Sequence, residues 1–181
     1  MKIVDQSFEI QFFPNDCALK LVEKAGRVCW KSEDKITENS TEPFISRIIK
    51  LGHESVIEHL SATVMFVVDR GVSHELVRQR LCSFSQSSTR YANYSKGKFG
   101  SEITVIKPFL FKEGTAQYKE WYNGCIASER AYMNLVNSGV TAEWARSVLP
   151  NSLMTEIFVT ANMREWRHVF KLRCANGAHP T

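Results

Sequence analysis

Three arginines and a dense run of hydroxyls share residues 73–91, SHELVRQRLCSFSQSSTRY, and nothing else in the chain concentrates anion-binding chemistry so tightly. A guanidinium is a permanently charged, forked donor that matches phosphate oxygens two at a time, and short hydroxyl side chains add further donors around it. Glu75, Leu76, Val77, Arg78 and Leu81 fit helical spacing with the apolar side chains turned inward, so the spacing predicts a helix running through Leu81. On such a helix Arg78 and Arg80 project about 200° apart and can face two different ligands. From Cys82 to Arg90 the text turns to Ser, Gln and Thr, which compete for nearby backbone groups, and a polar loop ending in arginine is expected. Composition alone also permits a blander reading, a solvated helix face followed by a connection.

A chain of 181 residues, 44% hydrophobic and 23% charged, is long enough to bury a real core, and one domain is expected over residues 1–181. The net charge of +4 is mild and dispersed outside these arginines, which suits small anionic ligands as well as a nucleic-acid groove. The N-terminal text MKIVDQSFEIQFFPND holds no apolar run fit for a signal peptide, and residues 62–68 are too short to cross a bilayer. A cytoplasmic protein without a membrane partner is expected. Cys17, Cys29, Cys82, Cys125 and Cys174 are odd in number and form no Cys-x-x-Cys pair, which argues for reduced thiols against a disulfide framework or structural zinc. Cys82 is the one candidate nucleophile, set against the commoner role of a lone cysteine as a small buried hydrophobe.

The elements that must position these groups can be read in order. Residues 3–13 alternate as a single strand ended by Pro14, and Asn15 caps a helix whose stripe of Ala18, Leu19, Val22, Ala25 and Val28 runs to about Trp30. Thr41 caps a second helix that ends at Gly52. Residues 52–59, GHESVIEH, place two histidines and two carboxylates at a helix-to-strand junction; His53 and His59 are six apart, which matches neither a helical metal pair nor a finger, so polar contacts are favoured over zinc. Residues 60–69 are rich in β-branched side chains and should form a buried strand feeding the arginine helix through Arg70 and Gly71. A strand at 102–106, a long aromatic-striped helix at 115–138 for packing or subunit contact, and a short helix capped by Thr141 and carrying Arg146 follow. After a strand at 153–161, Asn162 with Glu165 three residues on opens the last helix, where Arg164, Arg167 and His168 share one face. A helix N-terminus beside such a face suits a phosphate or pyrophosphate.

The ordered pattern Arg78-Gln79-Arg80, seven residues, Ser88, then Thr89-Arg90-Tyr91 resembles the signature of the flavin-dependent thymidylate synthases, which reads Arg-His-Arg, seven residues, Ser. Gln79 stands where that family has histidine. Residues 52–59 resemble its Gly-His-Glu-x-x-x-Glu-His element, and residues 145–150, 155–162, 164–168 and 171–174 are similar to its second half, so the likeness spans nearly the whole chain. The resemblance implies an α+β fold, a β-sheet core flanked by helices, assembled as a homotetramer whose sites draw on several subunits. It implies FAD as cofactor and the conversion of dUMP, methylenetetrahydrofolate and NADPH into dTMP, tetrahydrofolate and NADP. Carried over by position, Glu75, Leu76, Val77, Arg78, Gln86, Ser87, Ser88, Thr89, Arg90, Arg146 and Arg173 line the dUMP site. His53, Ser55, Glu58, Arg78, Gln79, Arg80, Gln86, Asn162, Arg164 and His168 hold FAD, with the 53–58 segment also in the folate environment.

That chemistry explains the residue types. The nucleotide is a dianion, FAD adds a pyrophosphate and folate adds carboxylates, and seven arginines fall in the matched segments. No G-x-G-x-x-G is present, so the resemblance has arginines and helix ends hold the flavin. Arg173 is the candidate catalytic group: a guanidinium at the pyrimidine edge stabilises negative charge on N3 and O4, worth about 3 kcal/mol where comparable donors have been removed. Reduced flavin supplies the hydride and no enzyme nucleophile is required, so neither Cys82 nor Ser88 needs activation.

Glutamine can hydrogen-bond but cannot carry a proton, so steps relying on the family histidine are expected to change. Ser87 stands where an acidic residue is frequent. The chain stops at Ala178-His179-Pro180-Thr181 where relatives run on, so the family's last site contacts are expected to be missing. A second reading within enzymes is a relative with altered chemistry, hydroxymethylating a pyrimidine nucleotide or mainly oxidising NADPH. From a different class, a basic nucleic-acid-binding module predicts steeply salt-dependent oligonucleotide binding and a colourless protein.

Overall fold

The N-terminal alternation breaks at Asp5 and Gln6 into two strands, Lys2–Val4 (β1) and Ser7–Phe12 (β2), in the computed structural model, which describes residues 1–178. One strand had been expected; the break sends β1 and β2 into different sheets. Of the chain-end residues named above, His179, Pro180 and Thr181 lie outside the described residues.

Asn15 caps Asp16–Cys29 (α1) as expected, its side chain accepting from the Ala18 amide at 3.2 Å. Thr41–Lys50 (α2) begins differently. Ser40 is the cap residue, and the Thr41 hydroxyl instead donates to the buried Glu23 carboxylate at 2.9 Å, which also accepts from Arg27 at 3.0 and 3.1 Å. A buried charge needs its acceptors filled, and that demand outweighs local capping.

Gly26 lies where α1 meets α2: a Cβ there would stand 2.6 Å from two Phe44 ring atoms. Gly26→Ala normally gains about 1 kcal/mol inside an exposed helix, but overpacking costs about 1–3 kcal/mol. The expected result is a melting temperature lowered by a few degrees, read by thermal unfolding; a rise would show that Phe44 moves aside freely.

Ser61–Asp69 (β3) leads directly into Arg70–Leu76 (α3), capped by Asp69 accepting from the Val72 amide at 2.7 Å. This helix ends at Leu76, short of the expected Leu81. Residues 77–82 then double back through backbone bonds from Gln79 to Leu76 and Cys82 to Gln79, which returns the chain to the sheet. The hydroxyl run expected to be a loop begins as a strand, Ser83–Gln86 (β4), with Phe84 and Gln86 half-buried and Ser83 and Ser85 exposed. Serines on the solvent face concealed a period of two.

Thr104–Ile106 (β5) pairs in parallel with β1, while Ala116–Asn137 (α4) and the short Ala142–Ala145 (α5) lead to Met154–Asn162 (β6) and Met163–Arg173 (α6). The Thr141 hydroxyl makes no capping bond at α5. The main sheet runs β2-β3-β6-β4, antiparallel throughout, with Val64 opposite Val159 and Phe66 opposite Ile157. Its inner face, with Ala62, Val68, Ile157, Val159 and Ala161 buried, is closed by Trp166 and Val169 of α6. The Trp166 indole N–H donates to the Ala62 carbonyl at 3.1 Å, so α6 is seated on the sheet by packing and by a buried polar bond. No helix among the described residues is long and apolar enough to cross a membrane.

Candidate active site

A cavity of about 1200 Å³ opens along α6, from Asn162 to Lys171. It is lined by Glu54, Glu58, Arg78, Gln79, Arg80, Leu81, Asn162, Arg164, Glu165, Arg167, His168, Phe170 and Lys171. Three separated segments meet here: the 3₁₀ turn Glu54–His59, the doubled-back stretch 77–82, and the start of α6. Arg78 and Arg80, expected on opposite helix faces, both line this one cavity because they sit in a turn. Asn162 caps α6, accepting from the Glu165 amide at 2.9 Å.

Five cationic side chains line the cavity against three carboxylates. Arg164 bonds to Glu58 and lies 3.9 Å from Glu54, while Arg167 lies 3.1 Å from Glu54. The hydrogen bond and charge of Glu58 raise the Arg164 pKa further, keeping its guanidinium protonated. These arginines are half exposed, and such pairs contribute only about 0–1 kcal/mol, so an incoming anion can take the guanidiniums over at little cost.

Sharing Phe170 with it, a second cavity of about 430 Å³ is mostly apolar, walled by Phe8, Phe66, Val68, Leu76, Trp166 and Phe170 with Glu75 and Arg173 at its polar edge. Arg173 Nη1 donates to the Glu75 carboxylate, and its Nε is buried with no partner among the described residues. A guanidinium with an unpartnered donor at the edge of an apolar slot suits the acceptor edge of a flat ring.

The family model described as thymidylate synthase complementing protein matches residues 14–180. The flavin-dependent thymidylate synthase of Geobacter sulfurreducens is 37% identical over 164 residues, covering 87% of this chain and 69% of that protein. The chain belongs to the flavin-dependent thymidylate synthase family. The synthase of that name from Pyrococcus furiosus is 36% identical over 154 residues, 82% of this chain and 62% of that protein. The chain thus spans 62% to 69% of the length of these curated relatives. The crystal structure of the UMP/dUMP methylase PolB from Streptomyces cacaoi bound with 5-Br dUMP superposes with a TM-score of 0.78 at 24% identity, over 96% of this chain and 80% of that one. The α+β fold is therefore shared.

In this chain the larger cavity collects Glu58, Arg78, Gln79, Arg80, Asn162, Arg164 and His168. Other candidates lie elsewhere. His53 stacks on Trp30 with ring centroids 5.4 Å apart, and Ser55, inside the 3₁₀ turn, lines neither cavity. Gln86 donates to Ser73 at 2.8 Å and Thr155 at 3.1 Å; the Ser87 hydroxyl meets Thr155 at 2.9 Å. Ser88 Oγ accepts from the Arg90 amide at 3.3 Å, Arg90 pairs with Glu143 at 2.7 Å, and Arg146 donates to Thr89 at 3.4 Å. Glu75, Leu76 and Arg173 share the smaller cavity, whereas Val77 is exposed at the end of α3.

Sequence reasoning missed Thr155 and Arg70. Thr155 is buried on β6, and its hydroxyl joins Gln86, Ser87 and Arg70 Nη1 at 3.3 Å, while Arg70 also donates to the Ser87 carbonyl at 3.2 Å. A threonine on the inward face of an apolar strand was the available signal, since its hydroxyl must find partners. Cys82 stands apart from this chemistry: burial, with the nearby Glu165 charge added, pushes its thiol up to about 11. At pH 8 its thiolate fraction is then about one in a thousand. Iodoacetamide on the native protein should label exposed Cys17 and Cys174 at least about a hundredfold faster than Cys82, by peptide mass spectrometry; equal rates would show an accessible, activated thiol.

Proposed function

We propose that residues 1–181 form a single domain that methylates dUMP to dTMP with FAD as cofactor, methylenetetrahydrofolate as carbon donor and NADPH as reductant. The observation that carries this reading is a cationic cavity of about 1200 Å³ along α6 adjoining, at Phe170, an apolar slot edged by Arg173. The larger site fits a dinucleotide bearing a pyrophosphate: permanently charged forks surround a capped helix N-terminus, where backbone N–H groups and the helix dipole favour anions. There Glu58, Arg78, Gln79, Arg80, Asn162, Arg164 and His168 hold FAD; bound, the reduced flavin supplies a hydride. Arg173 and Glu75 take the pyrimidine edge, and the guanidinium stabilises charge developing on the ring.

The remaining candidates, His53, Ser55 and Gln86 for FAD and Val77, Gln86, Ser87, Ser88, Thr89, Arg90 and Arg146 for dUMP, reach these sites from neighbouring subunits of a homotetramer. Phe8, Ile10 and Phe12, all more than half exposed along β2, supply apolar surface for that assembly. The five free thiols suit a cytoplasmic setting. Charge gathered in a concavity favours small anions over a nucleic-acid stripe. The buried Gln79, which cannot ionise where the family has histidine, favours a second reading, NADPH oxidation without methyl transfer.

The test is flavin uptake followed by product analysis. Protein incubated with FAD and desalted should retain flavin absorption, and with dUMP, methylenetetrahydrofolate and NADPH should yield dTMP by liquid chromatography and mass spectrometry. NADPH consumption without a methylated base sinks the methylation reading in favour of the second; failure to retain flavin sinks both.

A further inference from the structure

Ser73 and Thr155 are 0% and 1% exposed, and their hydroxyls tie Arg70 to Gln86 and Ser87 at the end of β4. The directions of these bonds follow from counting protons. Ser73 Oγ donates to the Arg70 carbonyl at 3.0 Å, so toward Gln86 it can only accept, and the amide nitrogen faces inward with one hydrogen on Ser73 and the other on Thr155. Thr155 Oγ1 therefore accepts twice, from Gln86 and from Arg70 Nη1, which fills its lone pairs and sends its own proton to Ser87 Oγ, 2.9 Å away. Ser87 Oγ also accepts from the Glu156 amide at 3.4 Å. Two groups at neighbouring positions are left over: the Ser87 hydroxyl proton and the Gln86 side-chain oxygen make no bond among the described residues. Neither residue is enclosed, since Ser87 is exposed and Gln86 half-buried. The attachment of β4 does not depend on this network, because Ser83 to Gln86 pair with β6 through the backbone and the Ser87 amide donates to the Glu156 carbonyl at 2.9 Å.

We propose that Thr155 is a positioning residue for nucleotide binding: by taking two inward donors and giving one proton, it turns the Gln86 side-chain oxygen and the Ser87 hydroxyl proton outward as an acceptor and a donor for dUMP. The inference rests on Gln86 and Ser87 lining the dUMP site. Thr155, enclosed on β6, touches no ligand itself. Arg70 makes the order one-way: a guanidinium cannot accept, so the lone pair that it occupies on Thr155 is closed to any other donor. Without the Thr155 hydroxyl, the Gln86 amide and the Ser87 hydroxyl are each free to turn over. A ligand then meets mixed orientations, at a cost of about tenfold in affinity for a bond that must be reset.

The experiment measures dUMP affinity by calorimetry on protein incubated with FAD, comparing wild type with Thr155→Val, which keeps the shape and loses the hydroxyl, and Thr155→Ser, which keeps the hydroxyl and loses a methyl. Thr155→Val should bind dUMP at least about tenfold more weakly, while Thr155→Ser stays within about threefold of wild type and both retain FAD as wild type does. In turnover the Thr155→Val effect should fall on the KM for dUMP, with kcat held within about threefold, as for a residue that acts through substrate binding alone. A loss of dUMP affinity in Thr155→Val below about tenfold, or an effect confined to kcat, overturns the inference and leaves the dUMP reading standing. Equal losses in the two variants trace the effect to packing and overturn it as well. Wild-type protein that binds no dUMP overturns the dUMP reading and this inference with it. Should Thr155→Val fail to fold, Thr155→Ala is read by the same criteria.

Discussion

Arg173→Ala is expected to lower dTMP formation by at least about a hundredfold while flavin uptake stays at the wild-type level. The two effects separate because Arg173 lines the smaller cavity, whereas Arg78, Arg80, Arg164 and Arg167 line the larger one. Its Nη1 is held by Glu75 and its buried Nε faces no partner among the described residues, so the side chain is fixed with one donor to spare. A donor already oriented before the substrate arrives costs nothing to reorganise as charge builds on the pyrimidine, which is where such groups act most strongly. Truncation also leaves Glu75 without its cation, adding a repulsive carboxylate beside the nucleotide. Steady-state assays at saturating dUMP, with the flavin-to-protein ratio measured on the same sample, check the result. Full turnover by the variant removes Arg173 from the chemistry, and loss of flavin alongside turnover would show that the two cavities do not act separately.

Arg164→Glu should abolish flavin retention, with a dissociation constant raised by roughly a hundredfold or more. The side chain stands between Glu58, which it bonds, and Glu54, 3.9 Å away. Reversing its sign gathers three carboxylates at the mouth of a site that depends on positive charge, and they repel both one another and a pyrophosphate. Arg164→Gln, which removes the charge without inverting it, should fall between the two. Fluorescence titration with FAD at two salt concentrations reads both the loss and its electrostatic origin: higher salt should narrow the gap between wild type and Arg164→Glu. A variant that binds FAD like wild type would show that the pyrophosphate lies elsewhere.

What could be read from the text alone was whatever a short window determines. Asn15 and Asn162 were recognisable as caps because a cap needs only its own next three residues, and both accept the expected amide. The β-branched run ending at Asp69 was readable as a strand for the same reason. The stretch after α3 was not, because its conformation depends on a distant partner: Phe84 sits opposite Val159 on β6, a pairing that no local rule foresees. The placing of Arg78 and Arg80 in one cavity followed from that same early turn. Thr155 was unreadable in a stronger sense, since it acquires its role from Gln86 and Arg70, which come from two other parts of the chain. Thr41 shows the converse: a sound local cap was overridden by a buried carboxylate on α1.

Arg164 and Arg173 ride on the same eleven-residue rod, nine positions apart, and the rise of an α-helix sets their separation along its axis at roughly 14 Å. That distance is a ruler built into the backbone. Side-chain substitutions along α6 leave it untouched, whereas inserting or deleting a single residue between the two arginines rotates one about 100° around the axis relative to the other. The spacing between a flavin's phosphates and a pyrimidine ring should therefore tolerate wide change in the composition of this helix and almost none in its length.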